Sequence, residues 1–477
     1  MLFATYTFAV FLAVVWLLHA VLPLRGRQIL LLVASYVFYC WETPVYGILI
    51  LISTVLDYLV GLGLERTQNP RGRRGLLLCS LAGNLGLLGF FKYGDFIGAN
   101  IAGLGHLLGF QGHWEPMGFI LPVGISFYTF QTMSYAIDVY RRRMPAERDF
   151  GVFALYVCYF PQLVAGPIER AHHLLPQLRE KHPILLENLV AGAKRILTGI
   201  FLKLVVADRL GILVDSVFAA PGQHSTLATW MSLVAFAGQI YFDFASYAGI
   251  AIGTARLFGV KLTENFHRPL VSVSIAEFWN RWHMTLTRWF HDYVFTPLGG
   301  FRKGGGRAIL NATIVLVLCG LWHGARWNFV FWGLYHAVLL SGYYLWKFYR
   351  KRHRRPKRLE RGRFTPAMGL SVAVTFGLNV LGLVFFRSPD LPTIGRILRA
   401  CVGLQPGEVA PVNWTLGGYG LIIFLWLAIE CAQEYAGLNE KWARVAWPVR
   451  AAAWGLLVAG TFLLAVNQQA PYIYFQF

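Results

Sequence analysis

Charged side chains are scarce in this sequence. They make up 14% of the 477 residues, whereas a soluble globular protein carries about 25%. Hydrophobic residues account for 56% of the chain, and the mean hydropathy is +0.51. Several apolar runs approach the roughly 20 residues that an α-helix needs to cross a bilayer. The composition argues against a soluble enzyme and predicts a polytopic, all-α integral membrane protein with one domain over residues 1–477.

Acidic residues are few: 23 Asp and Glu stand against 43 Lys and Arg, and the formal net charge is +20. Nucleic-acid-binding proteins also carry such a charge, but here the basic residues form short clusters between apolar runs. The clusters are Arg25 with Arg27; Arg71, Arg73 and Arg74; Arg141 to Arg143; and the block at residues 347–363. Lys and Arg mark the cytoplasmic loops of membrane proteins and meet anionic lipid headgroups. We therefore expect contact with membrane lipid and no nucleic-acid partner.

Cysteine is also rare, with six residues and no CxxC pair. All six lie in or beside apolar segments, which is typical of small buried hydrophobic residues and not of disulfides or metal ligands. The sequence lacks a GxSxG nucleophile elbow, a Walker loop and a GxGxxG fingerprint. These absences argue against a serine hydrolase and against a nucleotide-binding fold.

The first 22 residues form an apolar run without a basic n-region, because Arg25 and Arg27 follow the run and do not precede it. This order argues against a cleavable signal peptide. We expect the segment to remain as the first membrane helix, with its N-terminus outside the cytoplasm.

Two histidines stand beside tryptophans in the stretch 265–345. His323 follows Trp322 within GLWHGA, inside a run that otherwise predicts a membrane helix. An ionisable residue at membrane depth is costly, so it is a candidate for a functional site. Gly320 and Gly324 flank the histidine, and they let another backbone or a ligand approach the imidazole closely.

His283 follows Trp282 in a segment with a clear helical period, residues 275–293. One face holds Trp279, Trp282, His283, Leu286, Phe290 and Tyr293, and the opposite face holds Arg281, Thr285, Arg288 and Asp292. The pattern predicts one amphipathic helix that is too polar to span a bilayer and that lies at an interface or lines a cavity. Its apolar face turns His283 towards the interior, where we also expect His323.

Polar residues interrupt two further apolar runs. Gln239 and Asp243 fall on one face of the helix predicted over residues 227–258. A buried carboxylate needs a partner, and we expect either a histidine that Asp243 orients or an arginine that pairs with it. The run at 159–170 holds two prolines and a glycine, which predicts a break or a re-entrant corner at membrane depth.

A histidine buried beside glycine can act as a general base towards a hydroxyl group. We expect no metal, because neither His283 nor His323 has a local partner at a zinc-binding spacing, and His336 falls on a different helical face from His323. The residues alone leave two function classes open. One is transfer of an activated acyl group to an alcohol; the other is a transporter or flippase of a polar small molecule, with His323 and Asp243 as a proton relay.

Six motifs together carry a resemblance that extends over nearly the whole chain. They are PVGISFYTFQTMSYAIDVYR from Pro122, PQLVAGPIER from Pro161, QIYFDFASYAGIAIG from Gln239, ENFHRPLVSVSIAEFWNRWHMTLTRWFHDYVFTPLGG from Glu264, GLWHGARWNFVFWGLYH from Gly320 and the terminal PYIYFQF. On these motifs the chain resembles the membrane-bound O-acyltransferases (MBOAT). Within that family it is similar to the bacterial branch that serves alginate and cellulose acetylation and D-alanyl transfer to teichoic acids.

The resemblance implies a ring of transmembrane helices around a thin central wall pierced by a catalytic channel. It implies that His323 is the catalytic histidine and His283 the second histidine of the site. The donor would be a thioester, acetyl-CoA, arriving from the cytoplasm, with no permanently bound cofactor. The acetyl group would cross the bacterial inner membrane to a periplasmic acetyltransferase partner that acts on an exopolysaccharide of the alginate or cellulose type. The first helix would then have a periplasmic N-terminus.

Further residues are expected to shape the site around the two histidines. Trp282 and Asn280 would line the channel and orient the donor. The other residues expected at the substrate or along the channel are Trp322, Asp243, Gln239, Arg288 and Asn265. A third interpretation, a scaffold of a polysaccharide-secretion complex, has no need of a buried His323.

Overall fold

The computed structural model describes residues 1–110, 112–119, 121–164, 166–353, 365–404, 415–466 and 472–473. The regular elements within these ranges are all helical, as the apolar runs predict. The chain divides into two compact units, residues 1–197 with 247–264 and residues 198–246 with 265–477. The single domain expected over residues 1–477 stays a prediction.

The first unit combines long apolar helices with shorter ones. As far as residue 201, the helices are α1 (Tyr6–Val21), α2 (Leu24–Cys40), α3 (Tyr46–Arg66), α4 (Pro70–Leu88), α5 (Gly94–Leu107), α6 (Ile125–Tyr140), α7 (Phe150–Cys158), α8 (Phe160–Leu163), α9 (Ala171–Arg179) and α10 (Leu186–Phe201). A π-helical turn, Gly89–Tyr93, joins α4 to α5. Local signals set several helix starts: the Thr5 side chain caps α1 by accepting the N–H of Phe8, and Pro70 opens α4.

The second unit contains both histidines of interest. Its helices are α11 (Asp208–Ala219), most of α12 (Thr226–Leu257), α13 (Ile275–Arg281), α14 (Met284–Phe290), α15 (Gly305–His323), α16 (Trp327–His353), α17 (Pro366–Arg387), α18 (Leu391–Cys401), α19 (Thr415–Tyr435), α20 (Leu438–Ala443) and α21 (Trp447–Leu464). Two π-helical turns, Leu202–Ala207 and His291–Phe295, and a 3-10 turn, Pro269–Val271, complete it.

Five helical segments are long and apolar enough to cross a membrane, counted over the described ranges. They are Tyr46–Arg66, Pro70–Leu107, Gly305–His323, Pro366–Arg387 and Trp447–Leu464. Tyr6–Val21 and Phe150–Leu163 are shorter apolar helices. The all-helical, multi-pass membrane architecture predicted from the composition is thereby confirmed.

The second of the expected basic loops, around Arg71, Arg73 and Arg74, is instead the beginning of α4. The Asn69 side chain caps this helix by accepting the N–H of Arg71, and Pro70 favours a helix start. The charge pattern assigns basic residues to loops, but it takes no account of Asn69 and Pro70, which start the helix before the arginines.

Arg73 is buried, 7% exposed, and ties two helix ends together. Its guanidinium donates to the carbonyl oxygens of Leu64 and Thr67 at the end of α3. It also donates to those of Val139, at 3.3 Å, and Tyr140, at 2.7 Å, at the end of α6. Helix C-termini leave carbonyl groups without helical partners and favour a cation there. Arg73 therefore stabilises both ends at once.

Replacing Arg73 with alanine is expected to destabilise the protein by about 3 kcal/mol, because four carbonyl groups lose a charged donor. Thermal unfolding of the detergent-solubilised protein measures this as a lower midpoint temperature. Arg74 lies beside it and is exposed, so Arg74→Ala is the matched control and should change the midpoint little. Equal midpoints for the two variants would contradict the assigned role.

The predicted break at residues 159–170 is confirmed in the first unit. α7 ends at Cys158, Tyr159 leaves the helical conformation, and the four residues of α8 follow. Two predicted segments lie partly outside the described residues. The basic block at 347–363 is described only to residue 353, where it continues α16 and is not the expected loop. The terminal PYIYFQF is described only at Tyr472 and Ile473.

Candidate active site

His323 is the last residue of α15, and Gly324 after it has extended backbone. The imidazole is 4% exposed. Its ring packs edge-on against Trp332 of α16, with centroids 5.2 Å apart, and against Phe386 of α17, at 5.1 Å. Aromatic side chains from two neighbouring helices therefore fix this histidine at the end of a candidate membrane span.

Glycines bring α15 and α16 into backbone contact just before His323. A Cβ on Gly320 would lie 2.2 Å from the carbonyl oxygen of Phe329, and one on Gly333 would lie 2.4 Å from that of Leu316. Only residues without a side chain allow such an approach. The prediction that Gly320 admits another backbone near the imidazole is confirmed.

The single helix predicted over residues 275–293 is wrong. The structure has α13, a break at Trp282 and His283, then α14, because His283 adopts the left-handed conformation with φ 41° and ψ 53°. A left-handed residue other than glycine is uncommon and strained. The spacing of apolar residues does not reveal the break, because the seven-residue helices on both sides follow the same helical period.

Asn265 holds this break in place. The backbone N–H of Met284 donates to the Asn265 carbonyl oxygen at 2.9 Å. The Asn265 side-chain oxygen Oδ1 accepts the hydroxyl of Thr285 at 2.9 Å and its backbone N–H at 3.3 Å. The same Oδ1 lies 3.1 Å from Nδ1 of His283. An atom that accepts a backbone N–H is the amide oxygen and cannot donate. Nδ1 of His283 therefore carries the proton, and Nε2 holds the lone pair.

The surroundings of His283 keep its ring neutral. It is 1% exposed, and the Phe244 ring packs edge-on against it at 4.7 Å. Burial lowers the pKa of His283 from 6.5 to about 3, because the imidazolium would lose its hydration. At neutral pH the side chain is an uncharged imidazole that can accept a proton or a hydrogen bond at Nε2.

Trp322 joins the two histidines. Its indole lies 5.6 Å from the ring of His283 and 5.0 Å from that of His323, edge-on to both. The indole is 3% exposed. The expectation that both histidines occupy the interior is confirmed, and one aromatic ring sets the spacing between them.

A cavity of about 30 Å³, called here the histidine cavity, borders His323. It lies within the second unit. Its walls are Ala237, Ile240, Leu270, Phe278, Trp282, His323, Trp332, His336, Phe376, Asn379, Leu383 and Phe386. A volume of this size holds one or two water molecules or a small group of a substrate.

A larger cavity of about 160 Å³, called here the Cys319 cavity, begins one helical turn before His323. Sγ of Cys319 lies 4.0 Å from Nε2 of His323. The walls of the Cys319 cavity are Ala276, Trp279, Asn280, Thr287, Phe290, His291, Phe295, Phe301, Ala312, Val315, Leu316, Cys319, Leu340 and Tyr344. His323 thus borders the histidine cavity and lies next to Cys319, one wall residue of the second cavity. The continuous channel implied by the resemblance stays a prediction.

The expected site residues divide into two groups. Trp282 lines the histidine cavity. Asn280 is exposed and lines the Cys319 cavity. Asn265 lies behind His283. Arg288 is exposed on α14 and belongs to the walls of neither of these two cavities.

Within the described ranges, Asp243 pairs with neither a histidine nor an arginine, the two expected partners. Its carboxylate lies 2.7 Å from Nζ of Lys203, which also pairs with Asp208 at 2.7 Å, and it accepts the backbone N–H of Ile473 at 2.7 Å. Lys203 is the one basic residue of the apolar run 202–207. A single cation in such a run could have indicated the partner of Asp243 from the sequence. Gln239 lies against Gly211, where a Cβ would come within 2.7 Å of its amide nitrogen. Gln239 therefore packs against α11, and Asp243 belongs to a buried ion-pair cluster with Lys203 and Asp208.

Sequence reasoning missed His336, Asn379 and Cys319. The statement that His336 and His323 fall on different helical faces is wrong for the folded chain, because the two lie on separate helices that turn back on each other at Gly324. His336 consequently lines the same cavity as His323. Two consecutive apolar helices with one histidine each could have indicated from the sequence that His336 lies near His323.

Comparisons with known proteins identify the family of this chain. The family model "MBOAT, membrane-bound O-acyltransferase family" matches residues 148–385. A probable alginate O-acetylase of Pseudomonas putida is 33% identical over 95% of this chain and 95% of its own. A peptidoglycan O-acetyltransferase of Helicobacter pylori is 34% identical over 79% and 73% of the two chains, and a teichoic acid D-alanyltransferase of Bacillus subtilis is 27% identical over 58% and 71%. The chain belongs to the membrane-bound O-acyltransferase family and is a multi-pass membrane enzyme that transfers an acyl group to oxygen.

Proposed function

We propose that this enzyme takes an acetyl group from acetyl-CoA at the cytoplasmic side of the bacterial inner membrane. The group is passed outwards, with His323 as the base, for O-acetylation of an exopolysaccharide of the alginate or cellulose type. A periplasmic acetyltransferase partner receives it, and the N-terminus of the chain lies in the periplasm. The observation that carries the proposal is the position of His323, which borders the histidine cavity and has Nε2 4.0 Å from the Cys319 cavity wall.

The Cys319 cavity supports a thioester donor. Apart from Asn280, Thr287 and His291, its walls are apolar or aromatic, which suits an acyl group and a slender thiol arm. The wall residue Phe301 is followed at once by Arg302 and Lys303, both exposed. Basic side chains outside an apolar pocket are suited to the phosphate groups of a coenzyme A molecule.

The chemistry requires one proton to move and one bond to be exchanged. His323 takes the proton of the accepting hydroxyl as its oxygen attacks the thioester carbonyl. The new C–O bond forms, the C–S bond breaks, and the departing thiolate receives the proton from the imidazolium. A base held beside the reacting groups needs no ordering at the moment of reaction. His283, neutral and oriented by Asn265, stays behind Trp322 and fixes the base from that side.

The relatives support the acceptor class. The names of the relatives from P. putida and H. pylori describe O-acetylation of alginate and of peptidoglycan. Alginate-type acetylation is carried over from the first because the match covers 95% of both chains. The cellulose-type acceptor rests on the sequence motifs alone.

Purified enzyme incubated with acetyl-CoA labelled in the acetyl group tests the proposal. We expect release of the coenzyme A thiol and appearance of the label on oxygen once a hydroxyl acceptor is present. Succinyl-CoA, whose acyl group carries a charge that the apolar wall disfavours, is the matched control donor. Flux of a polar solute across proteoliposomes without thioester cleavage would overturn the proposal.

A further inference from the structure

Two polar residues of the histidine cavity have no part in the step proposed above. His336 of α16 and Asn379 of α17 are 2% and 6% exposed, and both line the cavity with His323. The other wall residues are aliphatic or aromatic. Three helices therefore direct one polar side chain each to a small space that is otherwise apolar.

Both side chains have hydrogen-bonding capacity to spare. Nδ1 of His336 and Oδ1 of Asn379 are buried and have no hydrogen-bond partner within the described part of the chain. The Asn379 amide nitrogen donates to the carbonyl oxygen of Thr375 at 2.7 Å, so the other amide atom is the oxygen, an acceptor. Buried polar atoms are nearly always satisfied, so these two atoms are available to bind a polar group that enters the cavity.

The His336 ring is held firmly. It packs against Trp332 at 4.8 Å and against Trp279 at 5.2 Å. Its Nε2 faces Gly382 of α17, where a Cβ would lie only 3.0 Å away. Aromatic packing fixes the plane of the imidazole while Nδ1 keeps its hydrogen-bonding capacity.

The size of the cavity limits what can enter. A volume of about 30 Å³ has room for a hydroxyl and the carbon that bears it, and not for a sugar ring. Apolar walls also reject additional carbon by crowding, since one methylene can change a rate 10- to 200-fold.

We propose that the histidine cavity is the acceptor subsite and admits the –CH2–OH group of a primary alcohol; this rests on the acyl transfer proposed above. The hydroxyl first donates to Oδ1 of Asn379 and accepts an N–H of His336. Rotation about its C–O bond then turns the proton to His323. The oxygen attacks the thioester carbonyl, the C–S bond breaks, and the thiolate takes up the proton.

Two isomeric alcohols test the size limit. Purified enzyme with labelled acetyl-CoA is given 1-propanol or 2-propanol, and the propyl esters are separated by gas chromatography. We expect kcat/KM to be at least tenfold higher for 1-propanol, because the secondary carbon carries one methyl group too many. Equal values, or thioester cleavage without either ester, would overturn the proposal.

Variants test the two polar residues. His336→Phe keeps the ring and Asn379→Leu keeps the volume, and each is expected to raise the KM for 1-propanol at least tenfold with an unchanged KM for acetyl-CoA. His336→Gln retains a donor and an acceptor and should recover part of the loss. His19→Phe replaces a buried histidine of the first unit and serves as the matched control. A wild-type KM for the alcohol in both variants, or a fall in kcat alone, would overturn the assignment.

The same experiment separates this inference from the proposed function. If His323→Ala abolishes transfer while both cavity variants keep the normal alcohol KM, the acyl transfer stands and the subsite falls. If the unaltered enzyme cleaves no acetyl thioester at all, the proposed function itself falls.

Discussion

Replacing His323 with alanine is expected to lower acyl transfer by about 10²–10⁴-fold, the usual loss when a general base is removed. The imidazole lines the histidine cavity, and its Nε2 lies 4.0 Å from Sγ of Cys319, a wall residue of the Cys319 cavity. Its ring packs against the aromatic side chains of Trp322, Trp332 and Phe386. The measurement is label transfer from acetyl-CoA by the purified variant.

Two controls accompany that measurement. His113→Ala removes an exposed histidine of the first unit, 81% exposed at its side chain, and should leave transfer unchanged. Size-exclusion chromatography shows whether the His323 variant is still a folded particle. Near-normal transfer by a folded His323→Ala protein would remove this residue from the mechanism.

Replacing Asn265 with leucine should lower transfer about 10²-fold, although Asn265 lies behind the reacting groups. Its Oδ1 fixes the Nδ1–H form of His283 and the backbone of the left-handed turn at that residue. Leucine matches the size of asparagine but offers no hydrogen-bond acceptor. Nδ1–H of His283 is then no longer favoured over the other tautomer, and the turn loses the hydrogen bonds from Thr285. A displacement of about 1 Å near reacting groups costs on this order.

Asn265→Asp is the variant that separates orientation from mere packing. A carboxylate still accepts from Nδ1 and from Thr285, so transfer should be largely retained. The new negative charge should also raise the pKa of His283 above the value of about 3 that burial gives it. The acid limb of the pH–rate profile then moves to higher pH, because His283 becomes charged earlier as the pH falls. An unchanged profile with equal losses for leucine and aspartate would indicate a structural role only.

His323 was predictable from the chain because an ionisable residue inside an apolar run is a local anomaly. The break at His283 was not, since residues on both sides keep the helical period and the hydrogen bonds that fix the turn come from Asn265, 18 residues earlier. His336 and Asn379 join His323 only through the packing of three helices. Lys203 shows the same limit: Asp243 was correctly expected to need a partner, but the partner lies 40 residues away.

The interlock of Gly320 with Phe329, and of Gly333 with Leu316, bears on how substrates reach the imidazole. Sliding α15 along α16 by one turn would drive side-chain-bearing residues into those carbonyl groups. The two helices of the hairpin that carries His323 are therefore locked to each other, and any larger movement must carry them together as one rigid body. A change in access to the imidazole then comes from the side chains around it or from a displacement of the whole hairpin, and not from a shift between its two helices.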